Sequence, residues 1–453
     1  MPDPRPPRTS AAPRILVVGG GCVGLGTTLR LLEELNPGEA EITVVEPRGY
    51  MTYQPFLPEA AAGSIDARDV VVPLRRTLRG AEVVVGEVVS VRHAERRARV
   101  NPVDGEEYDL HYDVLVLAPG SVARTLPIPG VAEQAIGFTT VEEAVHLRDR
   151  VLHNLDVAEA SKDEEFRRRA LTFTFVGGGY AGVEALAELE DLARCATRAL
   201  RTVRASDVRF VLVEALDRIL PEVGPEMGRY AVDALRSRGI EVNLRTTLQS
   251  CEGGVVRLSD GQEFASDTVV WTAGVTPHPV LARTDLPLDG RGRLLCGADL
   301  RVVDADGSVV EGAWGAGDAC AVPDLTKPGA FCAPNAQHAV RQSRRLADNL
   351  VALLRGGRPQ PYRHAVAGSV ASLGRHQGVA QVYGIKLTGY PAWLLHRAYH
   401  LSRVPTTSRK VGVLLGWVQA ALFDRETVSL SALSHPRAEF ERAAGARPGG
   451  PRT

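Results

Sequence analysis

Two glycine-rich turns, each placed between a short apolar run and a helical stretch, constrain the fold of this chain most. The first turn, residues 19–24, follows the apolar run 15–18, and the second, residues 177–182, follows 171–176. Both turns have the spacing G-x-G-x-x-G, which suits a tight passage from a strand into a helix that faces a phosphate group. Because strand, turn and helix alternate, the sheets should be parallel. The sequence therefore predicts an α/β fold with two Rossmann-like dinucleotide-binding domains.

Each glycine of the first turn has its own role. Gly19 permits the tight turn, Gly21 lets the backbone approach a pyrophosphate, and Gly24 lets the helix pack closely on the strand. The helix N-terminus then offers free N–H groups and a positive dipole end to the phosphates. Glu46 ends the next strand, 22 residues after Gly24, where an acid is expected to bond a ribose hydroxyl.

The second turn repeats this arrangement with Gly177, Gly179 and Gly182. Its acid is Glu214, which lies 32 residues after Gly182, a long gap that fits a lengthened crossover helix. An acid at this position favours NADH over NADPH, although the nearby Arg218 leaves the preference short of strict. One such turn is weak evidence, whereas two turns with following acids strongly indicate two nucleotide sites.

The length and composition of the chain exclude several classes of protein and partner. Its 453 residues suffice for about three domains, and the net charge of −1 gives no general attraction to nucleic acid. The six cysteines form no C-x-x-C pair, so reduced thiols in a cytoplasmic protein and no metal site are expected. Residues 1–13 are rich in Pro and Arg and lack the apolar run of a secretory signal, so no such signal is expected, and no segment approaches 18 uninterrupted apolar residues.

Further segments resemble a known superfamily. Residues 112–121 (YDVLVLAPGS), 271–275 (WTAGV) and 314–318 (WGAGD) are similar to motifs of flavoproteins with two dinucleotide-binding domains. The resemblance covers residue 14 to about residue 345. It implies that the first turn holds FAD, that the second holds NADH, and that Asp318 bonds the ribityl-phosphate region of FAD.

Within this superfamily the chain resembles the type II NADH dehydrogenases, which are single-chain NADH:quinone oxidoreductases. Residues 53–63, 182–184, 271–275 and 336–339 carry this resemblance. It implies that NADH passes a hydride to the flavin and that two electrons then reach a membrane quinone of a respiratory chain. The family usually has a second Gln where this chain has Arg341, which leaves the identity of the acceptor open.

The resemblance also implies the site residues. Glu184 is expected to act catalytically beside nicotinamide and flavin, although a Glu in a first helical turn is also stabilised by the helix dipole alone. Gln337 and Arg341 are expected to contact the quinone. The residues expected to bind FAD are Gly19, Gly21, Gly24, Glu46, Pro47, Val88, Ala118, Gly120, Asp318, Ala336 and Gln337, and those expected to bind NADH are Gly177, Gly179, Gly182, Glu214 and Gly274.

Seven segments follow from these assignments. Disordered tails are expected at 1–12 and 439–453, where Pro, Arg, Gly and Ala dominate. The others are the FAD-binding domain in two parts (13–122 and 291–365), a connection (123–168), the NADH-binding domain (169–290) and a C-terminal module (366–438).

The composition of the C-terminal module predicts that it contacts a membrane. Residues 386–425 interleave aromatic and apolar residues with six Lys or Arg and one Asp, a net charge of +5. This composition is typical of an interfacial pair of amphipathic helices, and a pair that packs between domains or forms a homodimer has a similar sequence. The protein is therefore expected on the cytoplasmic face of the cell membrane, attached peripherally.

Two other functions fit the residues less well but stay open. One is a soluble NADH-dependent flavoprotein that reduces a protein such as ferredoxin, and the other is a redox sensor with slow turnover. The helix after the first turn contains no C-x-x-x-x-C, which argues against a disulfide reductase. Cys320 and Cys332 are the only candidates for the cysteine chemistry of sulfide:quinone reductases, and unpaired apolar roles suit them better.

Overall fold

The computed structural model describes residues 12–365, 368–423, 425–430 and 436–444. The chain divides into two compact units. The first unit comprises Met1–Tyr53, Val71–Arg124 and Gly274–Ala367, and the second comprises Gln54–Val70, Thr125–Ala273 and Gly368–Thr453.

The described residues form the following α-helices and β-strands. The α-helices α1 to α12 span Cys22–Glu34, Leu57–Ala61, Leu74–Thr77, Val131–Gln134, Val141–Ala160, Glu164–Ala170, Tyr180–Thr197, Pro225–Ser237, Ala336–Leu354, Gly389–Arg403, Thr407–Leu422 and Ala438–Ala443. The strands β1 to β25 span Arg14–Val18, Glu41–Glu46, Tyr50–Thr52, Val71–Pro73, Glu82–Arg92, Arg97–Pro102, Tyr108–His111, Val114–Leu117, Ser121–Ala123, Ala135–Ile136, Thr172–Val176, Arg209–Glu214, Glu241–Leu244, Leu248–Ser250, Val255–Leu258, Glu263–Ala265, Thr268–Trp271, Val275–Pro277, Leu294–Leu295, Arg301–Val303, Val309–Gly315, Cys320–Ala321, Gly368–Ser372, Gly378–Val382 and Ile385–Thr388.

The first unit is built on an eight-stranded sheet. Its order is β20-β21-β8-β1-β2-β5-β6-β7, and the five strands from β21 to β5 are parallel. Strand β1 is buried from Ile15 to Val18, as expected for a central parallel strand with both faces covered. Helices α1 and α9 pack against each other in this unit.

The second unit contains a five-stranded parallel sheet of order β10-β17-β11-β12-β13. Every residue of β11 is buried, and helix α7 forms the crossover from β11 to β12. Each unit therefore carries a parallel sheet in which a glycine turn joins a central strand to a helix. The prediction of an α/β fold with two Rossmann-like domains is confirmed.

The C-terminal residues belong to the second unit. Strands β23, β24 and β25 form an antiparallel sheet, on which α10 packs before α11 follows. Helix α12 occupies 438–443, so the predicted disorder from residue 439 onward does not hold for 439–443. Within the two predicted tails, residues 1–11 and 445–453 lie outside the described residues.

Candidate functional site

In the first glycine turn, two glycines are tightly packed against backbone atoms, and a third has free space beside it. Gly19 has φ 98°, and a Cβ added there would lie 2.3 Å from the carbonyl oxygen of Ala118. A Cβ on Gly24 would lie 1.8 Å from the carbonyl oxygen of Gly19. A Cβ on Gly21 would meet no atom within 4 Å. Gly19 and Gly24 are therefore required by close packing, whereas Gly21 leaves its backbone open to a ligand.

Glu46 ties the first turn to the end of β2. Its Oε2 accepts a hydrogen bond from the backbone N–H of Gly20 at 2.6 Å, and its Oε1 accepts one from the N–H of Arg48 at 3.3 Å. Burial raises the pKa of the Glu46 carboxyl. No side chain caps the N-terminus of α1 at Gly21, so the first N–H groups of this helix are available to an anion.

The late motif of the first unit places Asp318 beside a buried amide. Ser121 Oγ donates a hydrogen bond to Asp318 Oδ2 at 3.0 Å, and burial raises the pKa of the Asp318 carboxyl. The N–H of Gly317 donates to Gln342 Oε1 at 2.8 Å, and Gln342 is only 1% exposed. Gln342, which the sequence assigned no role, therefore fixes the loop that carries Asp318.

Three other residues expected at FAD have contrasting environments. Pro47 is exposed directly after β2. Val88 is buried in β5 and pairs with Val100 of β6. Gly120 has φ 75°, and a Cβ added there would meet no atom within 4 Å, so its backbone is also open. Their contact with FAD stays a prediction.

Helix α9 begins at the residues expected near flavin and quinone. Asn335 caps it by accepting the N–H of His338 at 2.9 Å, so Ala336 and Gln337 form its first turn. Arg341 Nη1 donates to the carbonyl oxygen of Gln337 at 3.0 Å, within the same helix. The buried His338 shares a hydrogen bond of 2.9 Å with the hydroxyl of Tyr362 through Nδ1, as expected for a structural histidine.

The second glycine turn reproduces the geometry of the first. Gly177 has φ 112°, and a Cβ on Gly182 would lie 2.1 Å from the carbonyl oxygen of Gly177. A Cβ on Gly179 would meet no atom within 4 Å. Glu214 Oε2 accepts the N–H of Gly178 at 2.5 Å, just as Glu46 accepts that of Gly20. No side chain caps α7 at Gly179, so each unit presents an open helix N-terminus.

A threonine closes the second turn. Thr272 Oγ1 lies 3.0 Å from the carbonyl oxygen of Val176 and 3.1 Å from that of Gly177, and it donates to both. The motif at 271–275 therefore contributes to the turn through Thr272, which the sequence did not single out. Gly274, expected at NADH, belongs to the first unit, where its carbonyl oxygen accepts the N–H of Arg124.

The second unit also contains a group of buried charges, called here the buried ion cluster. Its members are Glu59 of α2, Glu184 and Glu188 of α7, His396 and Arg397 of α10, and Arg425. Glu184 Oε1 accepts the backbone N–H of Ser372 at 2.8 Å, and His396 Nε2 lies 3.1 Å from the same oxygen. Glu184, the expected catalytic residue, therefore faces a histidine.

Two ion pairs complete the cluster. Glu59 Oε2 accepts from Arg397 Nη2 at 3.1 Å and from Trp417 Nε1, and burial raises the pKa of the Glu59 carboxyl. Glu188 Oε2 accepts from Arg425 Nη2 at 2.8 Å. Buried charges persist only when they are paired, because an unpaired one pays a large desolvation cost.

Helix α11 has one packed face and one exposed apolar face. A Cβ on Gly412 would lie 2.1 Å from Asp69 Oδ1, and one on Gly416 would lie 3.1 Å from Ile65, so this face packs closely. The other face exposes a set of apolar residues at helical spacing, called here the outer stripe: Val411, Leu414, Leu415, Val418 and Leu422. No described helix combines the length and apolarity that a membrane crossing needs.

The positive charge expected around these helices is largely neutralised. Arg397 pairs with Glu59 and Arg425 pairs with Glu188 in the ion cluster. Arg409 lies 3.7 Å from Asp69, and Lys386 pairs with Glu226. Acids outside residues 386–425 therefore offset much of the net charge of +5 counted in that segment, because a count along the sequence does not show which charges are paired. Asp424, which entered that count, lies outside the described residues.

The cysteines behave as small apolar residues. Cys320 and Cys332 are buried, and burial raises the pKa of the Cys332 thiol to about 11. Burial also raises the pKa of Cys320, whose neighbouring thiol is Cys296. A protonated thiol is a poor nucleophile, so the raised pKa values disfavour sulfide chemistry at Cys320 and Cys332. Within the described part of the chain, no cluster of three or more His, Cys, Asp or Glu could hold a metal ion.

Comparison with protein families identifies the class. Residues 13–343 match the family described as pyridine nucleotide-disulphide oxidoreductase. The fold is similar to that of NDH2 from Plasmodium falciparum in complex with NADH, with a TM-score of 0.85 at 16% identity, covering 92% of this chain and 99% of that one. This protein belongs to the pyridine nucleotide-disulphide oxidoreductases, and it binds NAD(H) and a flavin.

Comparison with curated relatives identifies the branch of this family to which the chain belongs. The chain is 31% identical to a type II NADH:quinone oxidoreductase of Staphylococcus epidermidis, over 85% of this chain and 93% of the relative. It is 28% identical to Ndh of Mycobacterium tuberculosis, over 94% and 90%. It is also 30% identical to the demethylphylloquinone reductase NdbB of Synechocystis, over 92% and 98%. The chain is thus a member of the type II NADH:quinone oxidoreductase family, which confirms the prediction from sequence.

Proposed function

We propose that this protein oxidises NADH and reduces a quinone, with FAD bound in the first unit and NADH in the second. The observation that carries this proposal is the pair of matching glycine turns in a chain whose curated relatives are NADH:quinone oxidoreductases. The flavin would supply the chemistry, since it accepts a hydride and passes electrons on. The protein supplies binding, orientation and the exclusion of competing reactions.

The first unit fits FAD by its donors and its open backbone. Gly21 and Gly120 leave space where a side chain would intrude, and the uncapped N-terminus of α1 suits a pyrophosphate. The Asp318 carboxylate accepts one hydrogen bond from Ser121 and can accept others from ligand hydroxyls. These residues would hold the pyrophosphate and the ribityl-phosphate region.

The second unit fits a nucleotide with a free 2′-hydroxyl. Gly179 leaves the backbone open above the N-terminus of α7, and Glu214 ends β12 beside the turn. A carboxylate repels a 2′-phosphate, which supports NADH over NADPH. Glu184 remains the proposed catalytic residue, and Gln337 with Arg341 the proposed quinone contacts.

The quinone acceptor implies a membrane surface, and the outer stripe is the surface proposed to meet it. Its side chains are about half exposed or more, from Leu414 at 45% to Leu422 at 72%. Because most nearby cations are paired, apolar insertion rather than charge should dominate the binding. The protein would then lie peripherally on the cytoplasmic face of the membrane.

Flotation with liposomes tests this surface. The double variant Leu415→Glu with Leu422→Glu should remain unbound, whereas the wild type should float with the vesicles. Leu353→Glu is the matched control, because Leu353 is 43% exposed on α9 in the first unit. Flotation of the stripe variant at the level of the wild type would contradict the assignment. A native dimer that the stripe variant splits would instead identify the stripe as a homodimer interface.

A steady-state assay tests the activity. Purified, FAD-loaded protein is mixed with NADH and lipid, and with menaquinone or ubiquinone analogues, with ferredoxin or with no acceptor. We expect fast oxidation of NADH only with a quinone. Fast turnover with ferredoxin and none with quinones would establish the soluble reductase instead, and slow turnover with every acceptor would favour the redox sensor.

A further inference from the structure

Reduction of a quinone by NADH consumes one proton. NADH leaves as NAD⁺ after giving up a hydride, which carries two electrons and one proton. A quinone needs two electrons and two protons to become a quinol. If the proposed function holds, the second proton must reach the reaction from the protein and be replaced from solvent. A buried group that holds a proton near the catalytic residue would meet this need.

His396 is placed to hold such a proton. Its side chain is 2% exposed, and Nε2 lies 3.1 Å from Glu184 Oε1. The other ring nitrogen, Nδ1, has no hydrogen-bond partner among the described residues. A buried imidazole at this distance from a carboxylate is best stabilised as imidazolium, because the opposite charges compensate one another.

We propose that His396 is a positioning residue which keeps a proton beside the Glu184 carboxylate and delivers it through Glu184 during quinone reduction. The inference rests on the proposed function, since it names the source of the proton that this reaction needs. In the transfer, the N–H bond of His396 breaks and an O–H bond forms on Glu184. Glu184 then releases the proton to the acceptor, and solvent restores the proton on His396.

The charges around His396 come from several elements. Carboxylates face it from α7 and α2, namely Glu184 and Glu59. Arg397 and His400 lie on its own helix, and the His400 ring centroid is 4.5 Å from that of His396. The other titratable or charged groups of this region are His376 in the loop between β23 and β24, Glu188 on α7, and Arg425 after α11.

The two carboxylates raise the pKa of His396 by more than burial and Arg397 together lower it. Burial is the largest single effect and lowers the pKa of His396, but Glu184 and then Glu59 raise it, so that the net pKa is above its ordinary value. The opposite holds one turn away, where burial and the neighbouring His396 lower the pKa of His400 well below the usual range. The surroundings therefore favour the protonated form of His396 and the neutral form of His400.

Histidine NMR of the holoenzyme tests the proton directly and without turnover. Ring ¹³C-labelled histidine is titrated from pH 5 to pH 9, and the signal of His396 is assigned by its loss in His396→Gln. We expect its midpoint above the ordinary value of about 6.5, and below the wild-type midpoint in Glu184→Gln. A neutral His396 across this range, or a midpoint unaffected by Glu184→Gln, would overturn the proposal.

The pH dependence of turnover tests whether His396 delivers its proton through Glu184. In the wild type, quinone-dependent kcat should fall as the pH rises through the His396 midpoint, with the KM for NADH unchanged. His396→Phe and His396→Gln should lower kcat by about 100-fold, the scale of general acid–base catalysis, and remove this inflection. His400→Phe is the matched control and should keep the inflection. An inflection that persists in both His396 variants sinks the proposal, whereas a wild type without quinone turnover sinks the proposed function and leaves the NMR result standing.

Discussion

A single methyl group at Gly179 should weaken NADH binding without unfolding the protein. The residue has φ −74°, which alanine tolerates, and the added Cβ meets no protein atom within 4 Å. Loss of backbone freedom in the unfolded chain favours Gly179→Ala by about 0.4–1 kcal/mol. Alanine is a poorer N-cap than glycine by a comparable amount, so the free energy of unfolding should change by less than about 1 kcal/mol.

The effect of Gly179→Ala on NADH binding depends on whether NADH occupies the free space beside Gly179. If the pyrophosphate of NADH approaches the backbone at Gly179, the methyl group blocks that approach and removes a hydrogen bond to a charged group. Such a bond contributes about 1.5–3 kcal/mol, which corresponds to a Kd weakened about 10- to 150-fold. Titration calorimetry with NAD⁺ measures this directly, because NAD⁺ does not reduce the flavin.

Gly21→Ala provides the control in the other turn. Gly21 has φ −70°, and its added Cβ also meets nothing within 4 Å. This variant should lose FAD on purification yet bind NAD⁺ as the wild type does. An unchanged NAD⁺ affinity in Gly179→Ala, or FAD loss in that variant and not in Gly21→Ala, would refute the assignment of the two turns.

Three further perturbations test the packing of the site. Gln342→Leu leaves the N–H of Gly317 without its acceptor and should cost about 1–3 kcal/mol of unfolding free energy in denaturant titrations, with reduced FAD content. Glu188→Ala strands the buried charge of Arg425 and should cost about 3–5 kcal/mol; adding Arg425→Leu should recover most of that loss, and no recovery would deny the pairing. Cys332, whose thiol has a pKa of about 11, should resist iodoacetamide at pH 8 until the protein unfolds, as mass spectrometry can show, and labelling of the folded protein would contradict its burial.

The nucleotide turns could be predicted from sequence because their constraints are local. Gly24 and Gly182 are required by backbone atoms of their own turns, and Gly19 is required by the backbone directly after β8. The acids Glu46 and Glu214 each end the strand next to the turn that they bond. Spacing along the chain therefore carries most of the information that defines these two sites.

The buried ion cluster could not be predicted because its partners are distant in sequence. Glu59 and Arg397 are 338 residues apart, and Glu188 and Arg425 are 237 apart. No local pattern links such positions, although Glu59 lies in an apolar stretch where a lone charge needs a partner. For the same reason, the net charge counted over residues 386–425 could not show that Arg397 and Arg425 pair with distant acids.

Anaerobic stopped-flow spectroscopy of the FAD-loaded protein tests the central claim most directly. NADH alone should bleach the flavin absorbance, and a menaquinone or ubiquinone analogue added next should restore it within the time of one catalytic turnover. NADPH should bleach the flavin more slowly than NADH does. Flavin that NADH fails to bleach, or bleached flavin that ferredoxin but no quinone restores, would contradict the account.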